Sequence, residues 1–233
     1  MKPSGKSEQE VYQIDAVRKD VLQKGRFLIC TADREEPLLS VHEDVLVQYR
    51  LMKGRTLTEA ELEEVGRGDQ KQSAYALAIA YLGTKPRTRK EIERYLNRKQ
   101  LEPELIEQVA DRLEAEKTID DGEYARRYAS QRLRNNAKGR LAIKQELQQR
   151  GVSKAAASQA VSELDEETEL AAAVRAASRK WGFLKGEFRD RKRKLAMFLM
   201  RKGYPSGVVR EAVKAAATEP LNEEDEYEEE WTD

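Results

Sequence analysis

From Asp121 to Gly151 the apolar residues recur at helical spacing. Ala125, Tyr128, Ala129 and Leu133 fall at i, i+3, i+4 and i+8, one stripe to be buried, which turns Arg126, Arg127, Arg132 and Arg134 outward. Asp120 and Asp121 stand before the stripe, where carboxylates can accept the orphan N–H groups of a helix start and meet its positive dipole end. Asn135-Asn136-Ala137-Lys138-Gly139 interrupts the pattern. A second helix is predicted from about Arg140, with Ile143 and Leu147 one turn apart, until Gly151 supplies a left-handed cap after Arg150.

The same pattern returns at a period near 51 residues. Ile92, Leu96, Leu101, Ile106, Val109, Ala110 and Leu113 match Ile143, Leu147, Val152, Ala157, Ala160, Val161 and Leu164, and then Leu195, Leu199, Tyr204, Val209, Ala212, Val213 and Ala216. Each frame is a helix ending on Leu, a short hinge and a new helix. Gln100-Leu101, Gly151-Val152 and Gly203-Tyr204 are the three hinges. A leading helix precedes each pair, marked by Ala78, Tyr81 and Leu82, by the Tyr124 helix, and by Leu170, Val174, Ala177 and Trp181. A lone helix offers only a stripe to bury, so such three-helix units should stack. Thr88-Arg89-Lys90-Glu91 after Pro86 has capping-box spacing and sets one helix start; Gly182 to Glu187 reads as a longer loop inside the third unit.

Upstream the period shortens to two. Tyr12, Ile14 and Ala16 alternate, Arg26 to Cys30 is a second extended segment and Leu38 to Val41 a third, which predicts a small antiparallel sheet. Glu43 and Asp44 open a short helix, and Thr58-Glu59-Ala60-Glu61 begins another. The expected fold class is therefore mainly α: three tandem three-helix repeats in an elongated curved array, preceded by a small strand-containing N-terminal module. The expected boundaries are a disordered N-terminus at 1–9, an α+β module at 10–72, repeats at 73–119, 120–165 and 166–217, and an acidic disordered tail at 218–233.

Charge sharpens this picture. Charged residues make up 37% and aromatics 6%, against roughly 25% charged in an average domain, which favours exposed charged helices over one large core. The formal net charge of zero hides an asymmetry: Asp121 to Ala217 holds 22 Lys and Arg against 11 acids, and Glu219 to Asp233 holds nine acids and no base. A basic body implies a polyanionic or acidic partner, and the acidic end is expected to fold back over the basic face and screen it. No run of about 18 apolar residues exists and no apolar segment follows Met1 to Lys6, so neither a membrane span nor a signal peptide is expected. The single cysteine, Cys30, suits a reducing compartment, and the cytoplasm is the default.

Catalysis finds little support. His42 and Cys30 stand apart and are read as an ordinary polar residue and a small packing residue. The acids are spread along helices rather than clustered as metal ligands, and there is no phosphate-cradling Gly-x-x-x-x-Gly-Lys loop. No enzyme activity, metal or cofactor is expected. Tyr75, Tyr81, Tyr95, Tyr124 and Tyr128 are expected to pack rather than to stack on bases. Two basic groups remain as candidate binding residues for DNA or an acidic partner: Arg126, Arg127, Arg132, Arg134, Lys138, Arg140 and Lys144, and later Arg189, Arg191, Lys192, Arg193 and Lys194. Their excess without nearby acids favours contact with phosphates or an acidic surface, against the plainer reading that they keep long helices solvated. Nothing in the pattern reads base edges, so DNA binding should be sequence-tolerant.

The acids before Tyr124-Ala125, the Arg132-Leu133-Arg134 helix end, Lys138-Gly139 in the turn, and Ile143-x-x-Glu146-Leu147-x-x-Arg150-Gly151-Val152 together resemble the central signature of the RecX family, helical regulators of the bacterial RecA recombinase. Gly122 and Arg140 depart from it at two helix starts. The resemblance extends over about Ser73 to Ala217. It implies a protein that binds the RecA nucleoprotein filament, lies along its groove and inhibits or modulates ATP hydrolysis and strand exchange; a monomer is expected. Single-stranded DNA is an implied further partner, with double-stranded DNA beside it, both without sequence specificity. Two alternatives stay open on the residues alone: a general DNA-binding or architectural protein, and a helical adaptor for acidic protein segments.

Overall fold

The structure is a computed structural model that describes residues 11–217; the expectations for the first nine residues and for the acidic end from 218 lie outside them. Two compact units divide the described chain. The first takes the chain to Pro86 and then Ile92–Thr118; the second takes Arg87–Glu91 and the residues from Ile119 onward.

In the first unit, strands β1 (Val11–Lys19), β2 (Arg26–Thr31), β3 (Leu39–His42) and β4 (Thr56–Thr58) form an antiparallel sheet in the order β3-β2-β1-β4. Alternation places Ile14, Ile29, Val41 and Leu57 on one buried face, where they join Val45 of α1 (Glu43–Gln48), Leu51 and Val65 of α2 (Glu59–Leu82). The short β4 adds to the three expected strands. Thr58 caps α2 as its spacing predicts: its backbone N–H donates to Glu61 at 2.9 Å while its hydroxyl accepts from the Glu61 N–H at 3.3 Å. The expected junction at 72–73 falls inside α2, a single 24-residue helix. His42 is the N-cap of α1, accepting from the Asp44 N–H at 3.3 Å. Helices α3 (Arg89–Arg98) and α4 (Pro103–Ala115) follow; Leu96 is buried on α3, and α4, which packs on α2, buries Ile106, Val109, Ala110 and Leu113, as α2 buries Ala74 and Ala78.

The second unit contains α5 (Asp121–Asn136), α6 (Arg140–Gln149), α7 (Lys154–Ser162), α8 (Glu166–Trp181), α9 (Phe188–Arg201) and α10 (Ser206–Ala216). One core joins Ala125, Ala129 and Leu133 of α5 to Ile143, Leu147, Val152, Ala157 and Ala160. A second joins Ala173, Ala177 and Trp181 of α8 to Leu195, Leu199, Tyr204, Val209 and Ala212. The repeat register holds at the helix-ending leucines: Leu96, Leu147 and Leu199 are each 0% exposed. The hinges share a backbone conformation too, with φ of +61° at Gln100, +94° at Gly151 and +84° at Gly203. That left-handed turn ends one helix and starts the next within a few residues, which is why the period survives changes of side chain.

Candidate nucleic-acid and partner interface

The start of α6 shows how the second unit positions its basic residues. The first N–H groups of a helix lack intrahelical partners, and α6 has no side-chain cap of its own. Its partners come from later in the chain. The Gly139 N–H donates to the Lys202 carbonyl at 2.9 Å, the Leu141 N–H to the Gly203 carbonyl at 3.0 Å, and the Arg140 N–H to the Glu169 carboxylate at 2.8 Å. The first turn of α3 is met in part the same way inside this unit: the Arg89 N–H donates to Asp121 at 2.9 Å, while the Thr88 hydroxyl, which accepts from the Glu91 N–H at 3.2 Å, itself donates to the Arg150 carbonyl at 2.7 Å. The backbones touch so closely that a Cβ on Gly139 would lie 2.3 Å from the Gly203 carbonyl oxygen, and one on Gly151 2.1 Å from the Lys90 Cβ.

The candidate cations are placed less uniformly than their spacing suggests. Arg126 and Arg127 are exposed and share Glu123, at 3.0 and 2.7 Å. Arg132 and Lys138 converge on Glu146 at 2.9 and 3.1 Å, and the Tyr128 hydroxyl donates to the same carboxylate at 2.7 Å. Burial pushes the Glu146 carboxyl up, but the hydrogen bonds from Tyr128 and Lys138 and the charge of Arg132 outweigh it and hold it below the usual glutamate range. Arg140 binds Glu169, which is fully buried. Arg191 lies 3.9 Å from the centre of the Trp181 ring, Lys192 4.1 Å from that of Phe188, Arg193 pairs with Asp190 at 3.5 Å, and Lys194 reaches the Lys185 carbonyl at 3.3 Å. Only Arg134, Lys144 and Arg189 of the twelve have no such partner among the described residues. The expectation that these cations stand without nearby acids is thus corrected for six of the twelve: Glu123 lies one turn before Arg126 and Arg127, Asp190 pairs with Arg193, and packing of other helices brings Glu146 and Glu169 to Arg132, Lys138 and Arg140.

A second set of cations was absent from the sequence-based candidates. Arg179 and Lys180 end α8, and Lys202 follows α9; with Asn135, Phe183 and Phe198 they line one concavity of about 340 Å³. A signal for Lys202 existed in the repeat, because Lys99, Arg150 and Lys202 each stand just before a hinge. The five tyrosines are half-buried: Tyr81 stacks on Tyr95 at 4.1 Å, Tyr124 on Tyr128 at 5.9 Å, and Arg112 covers Tyr75 at 3.8 Å. Among the described residues no three His, Cys, Asp or Glu side chains are grouped to hold a metal ion, and no helix is long and apolar enough to cross a membrane.

Comparison with known proteins follows the same three frames. The family profiles for RecX match in order: the first three-helix domain at residues 74–113, the second at 120–161 and the third at 167–213. The regulatory protein RecX of Listeria welshimeri is 34% identical over 190 residues, covering 80% of this chain and 68% of that one. The one from Enterococcus faecalis is 29% identical over 215 residues, covering 91% and 79%. A crystal structure of regulatory protein RecX superposes with a TM-score of 0.73 at 28% identity, over 85% of this chain and 97% of that one. RecX from Lactobacillus salivarius shares the fold at a TM-score of 0.58 and 23% identity, over 63% and 96%.

Proposed function

The chain belongs to the RecX family, and from that premise we propose that it is a non-catalytic regulator that binds the RecA nucleoprotein filament and slows its ATP hydrolysis and strand exchange. The observation that carries this reading is the agreement of all three helical repeats with the family, in order and in register. Physical chemistry adds the form of contact. The basic stretch Asp121 to Ala217 presents cations on helix surfaces and in the turns after them, without any element shaped to read base edges, so phosphates and acidic protein surface are its natural partners. Acting as a monomer, the chain would lie against a filament whose own surface is both protein and nucleic acid.

The test is RecA-dependent ATP hydrolysis on single-stranded DNA with purified chain added below stoichiometric amounts. The expected result is a slowed steady state; an unchanged rate at every ratio would refute the proposal. A general DNA-binding protein is separated by salt. Contacts to naked DNA should be weak, roughly 10⁻⁴ to 10⁻⁶ M at physiological salt, and fall away steeply as salt rises, whereas a filament partner leaves a component that survives.

A further inference from the structure

The C-terminal ends of α5, α8 and α9 meet at the concavity lined by Asn135, Arg179, Lys180, Phe183, Phe198 and Lys202, and no carboxylate lines it. The ammonium groups of Lys180 and Lys202 stand 5.7 and 5.4 Å from the centre of the same Phe198 ring. Burial, and then the charges of Lys138 and Arg179, hold the Lys202 ammonium below the usual lysine range. Cations at helix C-termini have a plain explanation, since they answer the helix dipole. Magnitudes limit that explanation: three C-terminal ends bring about half a negative charge each, which answers only half of the three positive charges. Phe183 has no comparable explanation. It lies in the turn after α8 at the rim of this cationic hollow and is 80% exposed.

We infer that this cavity seats one nucleotide of single-stranded DNA, with the phosphate among Arg179, Lys180 and Lys202 and the base stacked on Phe183. Each part of the cavity matches one part of that ligand. The cations take the phosphate, the Asn135 amide can bond a sugar or base edge, and the exposed ring offers the flat apolar surface on which any base stacks. A volume of about 340 Å³ is at the low end of the ~300–1,000 Å³ of small-ligand sites, which suits a single nucleotide unit. A duplex keeps its bases stacked on one another and gives Phe183 no face to cover. An acidic peptide satisfies the cations and leaves the ring unexplained. The site deepens the phosphate contact proposed above and rests on that part alone.

The experiment uses the full chain, a labelled oligothymidylate and no RecA. Phe183→Ala, at a position so exposed that folding is spared, should bind about 5- to 160-fold more weakly, the equivalent of the ~1–3 kcal/mol of one stacked base, while Phe183→Trp retains affinity. Combining Arg179→Gln with Lys202→Gln should flatten the slope of log affinity against log salt by ~0.7, the share of one neutralised phosphate on a single strand. Equal binding by the Phe183→Ala and parent proteins overturns the assignment, as does a parent that does not bind the oligonucleotide. Binding of a polyglutamate peptide that depends on Phe183, without such dependence for oligothymidylate, would give the cavity to an acidic protein segment instead. Because RecA is absent, the two readings fail separately: a parent that slows RecA while its Phe183→Ala variant binds DNA normally loses the cavity alone.

Discussion

Arg140 and Arg134 differ by six positions and by the whole of their roles. Arg134 is exposed, whereas the Arg140 side chain is 22% exposed and meets a Glu169 that is 0% exposed. Truncating Arg140 to alanine leaves that carboxylate buried without its charge partner. The expected loss is toward the lower end of the ~3–5 kcal/mol typical of a broken buried pair, because Arg140 still touches solvent and Glu169 keeps the backbone N–H of residue 140; chemical denaturation of Arg140→Ala measures it. Glu146 offers a matching prediction in pH. Its carboxyl is held below the usual range in the folded state, so folded chains release its proton more readily than unfolded ones. The stability it contributes is therefore complete above the ordinary glutamate value of about 4.3 and disappears as the pH falls through the lower folded value. Glu146→Gln should flatten the acid limb of the stability profile below that pH, and an unchanged limb would show that Arg132 and Lys138 contribute nothing through it.

At the scale of elements, the hinge conformation is common to the three repeats but the residue is not. Gln100 holds φ at +61° where Gly151 and Gly203 stand in the other two. A left-handed residue with a side chain costs ~1–2 kcal/mol, while glycine gives back ~0.5–1 kcal/mol in chain entropy. Gln100→Gly should therefore raise stability by about 0.5–1 kcal/mol, read as a higher denaturation midpoint with unchanged slope. These hinges were legible in the sequence, since a left-handed cap after a leucine-ended helix leaves a glycine two times in three and the flanking apolar period marks the third. The helix starts at Thr58 and Asp120 were legible for the same local reason: a capping side chain lies within three residues of what it caps. The junction at 72–73 was not, because a change from sheet packing to helix packing along α2 leaves its own helical period unbroken. Nor was the pairing of the cations, which depends on Glu146 and Glu169 arriving from other turns and other helices.

For the whole molecule, the paired cations narrow the choice of contact surface. Replacing Arg134, Lys144 and Arg189 together by alanine should weaken inhibition of RecA while changing stability by no more than about 0.5 kcal/mol each, the usual effect of surface positions without special contacts. Full inhibition by that folded variant would move the contact elsewhere. The caps at the starts of α3 and α6 carry a further consequence, for the chain as it is made. Thr88 donates to a carbonyl 62 residues downstream, and the Arg140 N–H to a carboxylate 29 residues downstream. Translation proceeds at ~5–20 residues per second, so Thr88 waits roughly 3–12 s for its acceptor to be synthesised. The middle helices of the first two repeats leave the ribosome without these contacts, and the emergence of the following repeat supplies them.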